Sequence, residues 1–288
     1  MKPVVKWAGG KTQLLDQIRR MTPPKFDKYY EPFLGGGAVL LALTPTVAIV
    51  NDLNAELINM YLQIKTAPEN VIEELARIDD RHTIATDQRE YFYSVREIFN
   101  GELNTGTPEQ AARLIYINKH CFNGLYRVNS RGLFNVSFNN NSKGKSCDEH
   151  NIRQIASYLQ HVEILTGDFS SALVGASSGD FVFLDSPYAP LNPTSFASYT
   201  KEGFNFEDHV KLAELFKSLT NRGIYCMLTN HNTELIRTLY RGYWIRAVPV
   251  ARNINSKAAG RRGEEVIITN YAPPMSEKSQ FFDVSTNC

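Results

Sequence analysis

The sequence predicts a doubly wound α/β fold, in which helices cover both faces of a mostly parallel sheet. Three observations indicate this fold. Short apolar runs alternate with amphipathic segments near both ends of the chain, a glycine-rich turn follows one of these runs, and an aspartate ends two others. The middle of the chain interrupts the alternation, so we expect a Rossmann-like sheet with an inserted helical subdomain that carries a hairpin.

The first zone, residues 29–64, alternates strand-like and helix-like sequence. Tyr29–Glu31 is a short strand candidate that leads into the glycine-rich turn, and Ala38–Leu43 after the turn has the composition of a helix. Residues 47–50 form a second apolar run, and a further helix is expected after it. An earlier helix is expected at residues 12–21. This order is typical of buried parallel strands joined by helices.

The second zone, residues 67–145, has a different character. Apolar residues recur at helical spacing near residues 70–78, 89–99 and 108–118. A polar stretch rich in asparagine and glycine follows at residues 118–145. We predict a helical subdomain with an exposed hairpin or loop.

In the third zone, from Cys147 onward, the alternation returns. The strand candidates are residues 162–165, 180–185, 224–229, 245–250 and 265–271, with amphipathic helices between them, notably at residues 207–220. We therefore predict one α/β domain made of residues 1–66 and 146–272, and a subdomain at residues 67–145. The polar tail at residues 273–288 is expected to be disordered.

The composition is that of an ordinary globular protein and excludes several classes. Of the 288 residues, 43% are hydrophobic and 21% are charged, and no apolar run reaches the ~18 residues of a membrane span. No secretory leader is evident, so we expect a cytoplasmic location without membrane contact. Cys121, Cys147, Cys226 and Cys288 lack the paired spacing of zinc ligands, so neither a metal site nor disulfides are expected. The net charge of +1 does not decide about nucleic acid, because binding needs only a local basic face.

The glycine-rich turn Gly35-Gly36-Gly37 and the acid Asp52 suit a nucleoside ligand. Glycines let the backbone approach a ligand closely, and an aspartate at the end of the next strand can accept hydrogen bonds from ribose hydroxyls. The dinucleotide fingerprint requires its last glycine where Leu40 stands, so a pyrophosphate is not indicated. The alternative is a tight strand-to-helix turn with an aspartate that caps a helix. The pattern alone leaves both interpretations open.

A second glycine motif, Gly9-Gly10-Lys11-Thr12, does not fit a P-loop. A P-loop requires glycine six positions before its lysine, and that position is Val5. The segment is either a turn that begins the helix at residues 12–21 or, through Trp7 and Lys11, part of a ligand pocket.

The tetrapeptide Asp185-Ser186-Pro187-Tyr188 follows a strongly apolar run. Asp185 supplies an acceptor, Pro187 restricts the backbone and so aims the Ser186 carbonyl, and Tyr188 offers a flat aromatic face. Two acceptors and an aromatic ring suit a planar base that bears an amino group. Taken alone, the tetrapeptide favours the simpler interpretation, a strand end and a proline turn with an ordinary packed tyrosine.

Five segments together carry a resemblance to a known family. In chain order they are residues 7–11 (WAGGK), 31–37 (EPFLGGG), 51–54 (NDLN), 121–127 (CFNGLYR) and 185–191 (DSPYAPL). Their order and spacing, from Lys6 to about Tyr271, resemble the Dam-type DNA adenine methyltransferases. Agreement at five separated segments makes the resemblance specific.

The resemblance implies an activity. The protein would transfer a methyl group from S-adenosylmethionine to the exocyclic amino group of adenine in double-stranded DNA, releasing S-adenosylhomocysteine. The family target GATC, a flipped base, direct displacement without a metal, and a monomer acting near the nucleoid follow as expectations. The α/β domain would be catalytic, and residues 67–145 would recognise the target.

The resemblance also implies site residues. Trp7, Lys11, Phe33 and Asp52 match positions that hold the cofactor, with Asp52 on the ribose, and the turn pattern adds Gly35 and Gly37. Asp185, Ser186, Pro187 and Tyr188 form the catalytic motif, and Asp185 also lies beside the cofactor. The family motif is Asp-Pro-Pro-Tyr, so Ser186 is a departure that loosens the backbone but keeps the carbonyl.

The expected DNA contacts are Lys6 and residues of two basic segments. Lysine and arginine suit phosphates, while asparagine and arginine suit base edges, although a solvated loop has the same composition. By resemblance, Leu125 and Arg127 match the hairpin that reads the target, and Lys6 matches a contact to the first base. The full set is Lys6, Lys119, Phe122, Asn123, Leu125, Arg127, Asn129, Arg131, and, in a later loop that could clamp the DNA backbone, Lys257, Arg261 and Arg262.

Two other functions stay open on the sequence. The chain could be a catalytically silent or impaired DNA-binding homologue, with Ser186 as the sign of lost activity. It could also be a cytosine amino-methyltransferase, although such enzymes usually have serine where Asp185 stands.

Overall fold

The computed structural model describes residues 1–7, 9–140, 143–191, 204–251 and 262–274. Within these residues the backbone forms nine α-helices and seven β-strands. The chain divides into two compact units. The first comprises Met1–Thr12 and Leu34–Phe169, and the second comprises Gln13–Phe33 and Ser170–Cys288.

The seven strands form one sheet with the order β3-β2-β1-β4-β5-β7-β6. Their bounds are β1 Tyr29–Glu31, β2 Ala48–Asp52, β3 Val162–Thr166, β4 Phe181–Leu184, β5 Tyr225–His231, β6 Trp244–Ala251 and β7 Arg262–Thr269. The pairs β2–β3, β1–β4 and β4–β5 are parallel, whereas β7 is antiparallel to both β5 and β6. The predicted doubly wound, Rossmann-like α/β class is confirmed.

The helices fill the positions between strands. They are α1 Leu15–Met21, α2 Ala38–Leu43, α3 Ala55–Thr66, α4 Pro68–Ile84, α5 Gln88–Gly101, α6 Pro108–His120, α7 Glu149–Leu159, α8 Phe206–Asn221 and α9 Glu234–Leu239. The predicted helix at residues 12–21 differs at its start, because a 3₁₀ turn at Lys11–Gln13 precedes α1. The helices α7 and α9 occupy places where helices were expected without assigned bounds.

The inserted helices of the first unit pack around α6, which contacts α3, α4 and α5. Thr107 caps α6 by accepting a hydrogen bond from the Gln110 N–H, and proline is the first residue of that helix. The residues of α6 from Leu114 to Asn118 are all buried, so this helix is the centre of the helical part. The helices predicted near residues 70–78, 89–99 and 108–118 are therefore present as α4, α5 and α6.

An irregular hairpin follows α6, as predicted. Antiparallel bridges join Cys121 to Phe138 and Val128 to Phe134. At its tip the Asn129 N–H donates to the Leu133 carbonyl at 2.9 Å. The predicted domain boundaries, residues 1–66 with 146–272 and residues 67–145, stay a prediction, since division by contacts does not test division by function.

In the second unit, β4 and the middle parts of β5 and β7 are buried on both faces. All four residues of β4 and the Cys226–Leu228 segment of β5 are 0% exposed, as are the three consecutive residues Val266, Ile267 and Ile268 of β7. Continuous apolar sequence is what a central strand covered on both sides requires. This is why the strands were visible in the sequence as apolar runs.

The structure bears on the predicted absence of membrane spans, metal sites and disulfides only for the residues that it describes. Among the described residues no helix is long and apolar enough to span a membrane. The same residues contain no group of three or more His, Cys, Asp or Glu side chains arranged to hold a metal ion. Cys121, Cys147 and Cys226 are free thiols, whereas Cys288 and the tail from residue 275 onward lie outside the described residues.

A cluster of buried polar side chains joins α4 and α6 to the segment before α7. The Tyr116 hydroxyl lies 2.7 Å from His82 Nδ1, and His120 Nε2 lies 3.1 Å from the Ser146 hydroxyl. The Ser146 N–H donates to the Asp79 carboxylate at 2.7 Å. Burial lowers the pKa of His82 and lowers the pKa of His120 to about 4. Both histidines are therefore neutral in the folded protein at neutral pH.

We expect acid to destabilise the protein through His120. In the unfolded chain a histidine titrates near pH 6.5, whereas folded His120 has a pKa of about 4. Between these values the unfolded state binds more protons, so stability falls as pH falls through this window. Thermal unfolding at pH 7.5 and pH 5 measures the change. His120→Gln should show a smaller drop than the wild type, and His161→Gln, which removes an exposed histidine, should not. An equal drop in His120→Gln would contradict the assignment.

Candidate functional site

In the second unit, the ends of two adjacent strands form a candidate ligand site. The strand order runs outward in both directions from the β1–β4 pair, which is the topological switch point of the sheet. Ligands of open α/β sheets bind beyond the carboxyl ends of the strands at such a point. β1 leads to Phe33 and β4 leads to Asp185. These are two residues of the predicted site.

Asp185 is the first residue after β4, and β5 fixes its side chain. Because Leu184 pairs with Leu228 in the parallel β4–β5 ladder, the next residues, Asp185 and Thr229, lie side by side. The Thr229 hydroxyl donates to Asp185 Oδ1 at 2.8 Å, and Thr229 is fully buried. Asp185 itself is only partly buried. Its carboxylate is thus held in one orientation at the edge of the sheet.

The backbone after Asp185 is braced by two β5 side chains. The Ala189 N–H donates to Asn230 Oδ1 at 2.9 Å, and His231 Nδ1 lies 2.8 Å from the Ala189 carbonyl. Ser186 is buried, and its hydroxyl donates to the Pro187 carbonyl at 3.4 Å, a long contact. The segment is held from β5 rather than by the Ser186 side chain.

Tyr188 is oriented by a carboxylate on β7. Its hydroxyl donates to Glu265 Oε2 at 2.7 Å, and its ring meets His231 edge-on at 4.8 Å. Glu265 is opposite His231 in the antiparallel β5–β7 pair, so both contacts come from one register position. Burial raises the pKa of Tyr188, and the negative charges of Asp185 and Glu265 raise it further. Tyr188 therefore stays a neutral aromatic ring of fixed direction.

Asn230 carries a buried donor beside this motif. Its Oδ1 accepts hydrogen bonds from the Ala189 and His231 N–H groups, both at 2.9 Å, which fixes the orientation of the amide. Its Nδ2 is buried and has no hydrogen-bond partner among the residues that the structure describes. A buried donor without a partner costs about 1–3 kcal/mol. Such a donor is suited to a bound ligand.

In the first unit, Asp52 organises the glycine-rich turn. The Gly35 N–H donates to Asp52 Oδ2 and the Asn54 N–H donates to Oδ1, both at 2.9 Å. Burial raises the pKa of Asp52, while backbone hydrogen bonds from Asn54, Gly35 and Leu53 oppose that rise. A carboxylate has about four acceptor positions, so it retains capacity for ligand hydroxyls.

The turn requires glycine at two positions. Gly35 has φ 50° and Gly37 has φ 66°, which is the left-handed region that favours glycine. A Cβ at Gly35 would lie 2.9 Å from Trp7 Cδ1, and one at Gly37 would lie 2.7 Å from the Tyr61 hydroxyl. Trp7 therefore packs directly on the turn. The structure brings together Trp7, Gly35, Gly37 and Asp52, four of the residues predicted for the cofactor.

Of the other three residues predicted for the cofactor, Asp185 lies directly after β4, and Lys11 and Phe33 have different surroundings. Lys11 is buried, and its ammonium donates to the Gly9 carbonyl. Phe33 lies in the second unit, where its ring meets Phe204 edge-on at 6.0 Å. Their roles toward a ligand stay predictions.

Lys6 lies against the base of the hairpin. Asn118 joins the two, since its Oδ1 accepts from the Lys6 N–H at 2.8 Å and its Nδ2 donates to the carbonyls of Lys6 and Gly124 at 2.9 and 3.1 Å. A Cβ at Gly124 would lie 2.6 Å from Lys6 Cδ. Two segments that the sequence analysis assigned to DNA contact are thus adjacent.

The predicted DNA contacts differ in exposure. Phe122 is 52% exposed, a large value for an aromatic side chain. Arg127 is exposed, and its Nε donates to Asn135 Oδ1 at 2.8 Å. Asn129 Oδ1 accepts from the N–H groups of Arg131 and Leu133 at 2.9 and 3.1 Å, so this residue has a structural role in the hairpin tip.

The other predicted contacts fall into two groups. Lys119, Asn123 and Arg131 are exposed, and Leu125 is partly buried. Lys257 and Arg261 lie outside the described residues, and of Arg262 only the backbone, at the start of β7, is described.

Five residues with clear roles in these sites were not predicted from the sequence: Asn118, Thr229, Asn230, His231 and Glu265. One signal was available for three of them, since residues 229–231 end an apolar strand at the edge that also holds Asp185. The roles of Asn118 and Glu265 depend on contacts between distant positions, which a single sequence does not reveal.

Comparison with known proteins identifies the family. The sequence model of the D12 class N6 adenine-specific DNA methyltransferases matches residues 7–254. The chain is 40% identical over 277 residues to the type II methyltransferase M1.LlaDCHI of Lactococcus lactis subsp. cremoris, covering 94% of this chain and 96% of that protein. It is 39% identical over 287 residues to the type II methyltransferase M.MjaIII of Methanocaldococcus jannaschii, covering 94% and 99%.

A third relative carries the name that the sequence motifs suggested. The chain is 32% identical over 270 residues to the DNA adenine methylase of Escherichia coli K12, covering 93% of this chain and 95% of that protein. The family match spans both units, and the resemblance found in the motifs is confirmed. The chain belongs to the D12 class of N6 adenine-specific DNA methyltransferases.

Proposed function

We propose that this protein methylates the exocyclic amino group of adenine in double-stranded DNA, within GATC, with S-adenosylmethionine as methyl donor. The observation that carries the proposal is the motif at residues 185–188, whose acid is oriented by Thr229 and whose aromatic ring is oriented by Glu265. A fixed acceptor and a fixed ring are what the amino group and the flat face of adenine require.

The residues of the glycine-rich turn fit the methyl donor. Asp52 offers a carboxylate for ribose hydroxyls, and Gly35 and Gly37 leave no side chain between the backbone and a ligand. The residues that would hold the donor are Trp7, Lys11, Phe33, Gly35, Gly37, Asp52 and Asp185. When bound, S-adenosylmethionine supplies a methyl group on a positively charged sulfur and leaves as S-adenosylhomocysteine.

The chemistry of the chain's own residues is then acceptance and alignment. The adenine amino nitrogen is a poor nucleophile because its lone pair is delocalised into the ring. Asp185 and the Ser186 carbonyl would accept hydrogen bonds from its two N–H groups, which would favour a geometry with the lone pair directed at the methyl group. Asp185 also stabilises the positive charge that develops on nitrogen and can accept the proton that must leave. Alignment of this kind is worth up to roughly 7–11 kcal/mol.

The target base must leave the duplex before it reaches these acceptors. Extrusion costs a few kcal/mol, and stacking on Tyr188 offsets part of that cost. Phe122 is an exposed aromatic side chain on the segment proposed to contact DNA. Apolar side chains inserted between bases are a known means of opening a duplex, so Phe122 fits a role in stabilising the opened site.

The proposed reading of GATC rests on the segment Cys121 to Arg127, which resembles the target-reading hairpin of Dam-type enzymes. Arg127 and Leu125 would contact base edges, and Lys6 would contact the first base. The remaining contacts would be Lys119, Phe122, Asn123, Asn129, Arg131, Lys257, Arg261 and Arg262. The adjacency of Lys6 and the hairpin base supports one continuous DNA-contacting surface in the first unit.

Nucleoside mass spectrometry tests the proposal. Two duplexes of equal composition, one with GATC and one with a scrambled site, are incubated with the protein and S-adenosylmethionine. We expect N6-methyladenine in the GATC duplex. Arg127→Ala should lower discrimination between the duplexes by about 10- to 100-fold, since one base-edge contact is worth ~1–3 kcal/mol. Arg20→Ala, an exposed arginine on α1, is the control.

Each of the other possible outcomes would contradict one part of the proposal. Equal methylation of both duplexes would overturn GATC reading but not the activity. Methylcytosine would overturn the choice of base. Tight duplex binding without any product would support a silent homologue with Ser186 as its cause.

A further inference from the structure

Tyr126 lies within the hairpin segment and contacts Trp7, the residue that packs on the glycine-rich turn. Its ring stacks on the Trp7 indole with centroids 4.9 Å apart and planes at 24°, and Phe134 covers it at 5.7 Å. Tyr126 stands between Leu125 and Arg127, the two residues proposed to read bases. Because Arg127 is exposed while Tyr126 is partly buried, Tyr126 is the inward anchor of this short segment.

The Tyr126 hydroxyl is connected to Asp52 through Asn54. Burial raises the pKa of Tyr126, and a hydrogen bond with the Asn54 side chain opposes that rise. A hydrogen bond lowers the pKa of a hydroxyl when it is donated to the oxygen, so the Asn54 amide nitrogen is the donor, while Asn54 Oδ1 accepts from the Leu57 N–H at 2.9 Å. The Asn54 backbone N–H in turn donates to Asp52 Oδ1 at 2.9 Å. Only one residue therefore separates the hairpin tyrosine from the carboxylate proposed to hold the ribose.

The Trp7 indole leads to the same turn by a second route. It packs so closely on Gly35 that a Cβ there would lie 2.9 Å from Trp7 Cδ1. Trp7 follows Lys6, whose backbone is tied through Asn118 to Gly124, two positions before Tyr126. The stacked pair Trp7 and Tyr126 thus connects the glycine-rich turn with the hairpin by two routes, one through Asn54 and one through Gly35.

We propose that Tyr126 is a positioning residue that couples cofactor binding to the reading of DNA. A ligand seated on Asp52 and Trp7 would fix Asn54 and the indole, and these would fix Tyr126 and with it the direction of Leu125 and Arg127. The inference rests on the proposed function of the same site. By linkage the effect is reciprocal, so the correct duplex must tighten cofactor binding by the factor by which the cofactor tightens duplex binding.

The chain offers a direct probe of this coupling. It has two tryptophans, Trp7 and Trp244. In a Trp244→Phe background, Trp7 is the single tryptophan, and its fluorescence reports on the stack. S-adenosylhomocysteine is titrated with and without a duplex that the wild type methylates, and the ratio of the two dissociation constants is the coupling factor. Typical couplings are about 5- to 150-fold.

Two variants separate the stack from the hydroxyl. Tyr126→Phe keeps the ring and should retain part of the coupling, whereas Tyr126→Leu should reduce the factor to about 1. Tyr93→Leu, a partly buried tyrosine on α5, is the control and should keep the wild-type factor. Thermal unfolding confirms that each variant is folded. If Tyr126→Leu is destabilised, the coupling factor of Tyr126→Phe is used instead. A factor below that of the wild type supports the proposal, and an unchanged factor contradicts it.

The outcomes distinguish the two levels of proposal. A wild-type factor near 1, or an unchanged factor in folded Tyr126→Leu, would overturn the coupling. Methyl transfer by the same wild-type preparation is measured alongside. A protein that binds no S-adenosylhomocysteine and methylates no adenine would instead overturn the proposed function.

Discussion

Replacing Asp185 with alanine should reduce methyl transfer by at least about 10³-fold while the protein stays folded. Losing one preorganised electrostatic partner of a transition state typically costs about 10²–10³-fold, and here the same carboxylate is proposed both to align the amino group and to stabilise its charge. The fold should survive because Asp185 follows β4 and is only partly buried. Single-turnover formation of N6-methyladenine, measured by mass spectrometry, gives the rate.

Two further variants divide the role of this carboxylate. Asp185→Asn keeps the shape and an oxygen for the Thr229 hydroxyl, yet it should be nearly as inactive as alanine because it removes the charge and one acceptor. Thr229→Val removes only the hydroxyl that orients Asp185, so it should cost about 10- to 100-fold, the range that corresponds to ~1.5–3 kcal/mol for a hydrogen bond to a charged group. Near-normal turnover in folded Asp185→Ala would sink the assignment.

Ser186 affects this expectation less than the sequence suggests. In the family motif a proline at this position would rigidify the backbone, and its absence raised the alternative of a silent homologue. In the structure the backbone three residues later is held by Asn230 and His231, through bonds of 2.9 and 2.8 Å to Ala189. These contacts supply from β5 the restraint that the motif lacks, so an active enzyme is the expected result.

The strands and their ends could be predicted because burial on both faces leaves a direct mark on the sequence. The apolar run before Asp185 is fully buried in β4, and the short run before Asp52 is almost entirely buried in β2. The glycine-rich turn could also be predicted, since the left-handed φ of 66° at Gly37 favours glycine. The family motifs added the residues that burial alone does not distinguish.

The supporting residues could not be predicted, because their roles arise from register and long-range packing. Glu265 supports Tyr188 across 77 positions of sequence, and Asn118 binds Lys6 across 112. No local pattern reports such a pair. Tyr126 was recognised only as part of the motif at residues 121–127. Its stack on Trp7 depends on how the hairpin packs against the start of the chain.

Replacing Asp52 with alanine should weaken binding of S-adenosylhomocysteine by about 10- to 100-fold. Hydrogen bonds to a charged group contribute ~1.5–3 kcal/mol, which corresponds to this range. The carboxylate also accepts the Gly35 and Asn54 N–H groups, so its loss frees the turn as well as the ribose contact. Isothermal titration calorimetry gives the dissociation constant. Glu163→Ala is the matched control, an exposed acid on β3 opposite Ile49 of β2.

The pH dependence separates the ribose contact from a loosened turn. Burial raises the pKa of Asp52, so in the free protein its carboxylate takes up a proton at a higher pH than an ordinary aspartate. A protonated carboxyl loses acceptor capacity, and cofactor affinity should therefore decrease as pH falls through that raised pKa. Asp52→Asn should bind weakly at every pH and lose this dependence. A wild-type affinity that stays constant down to the ordinary aspartate range, or an unchanged affinity in folded Asp52→Ala, would show that the ribose lies elsewhere.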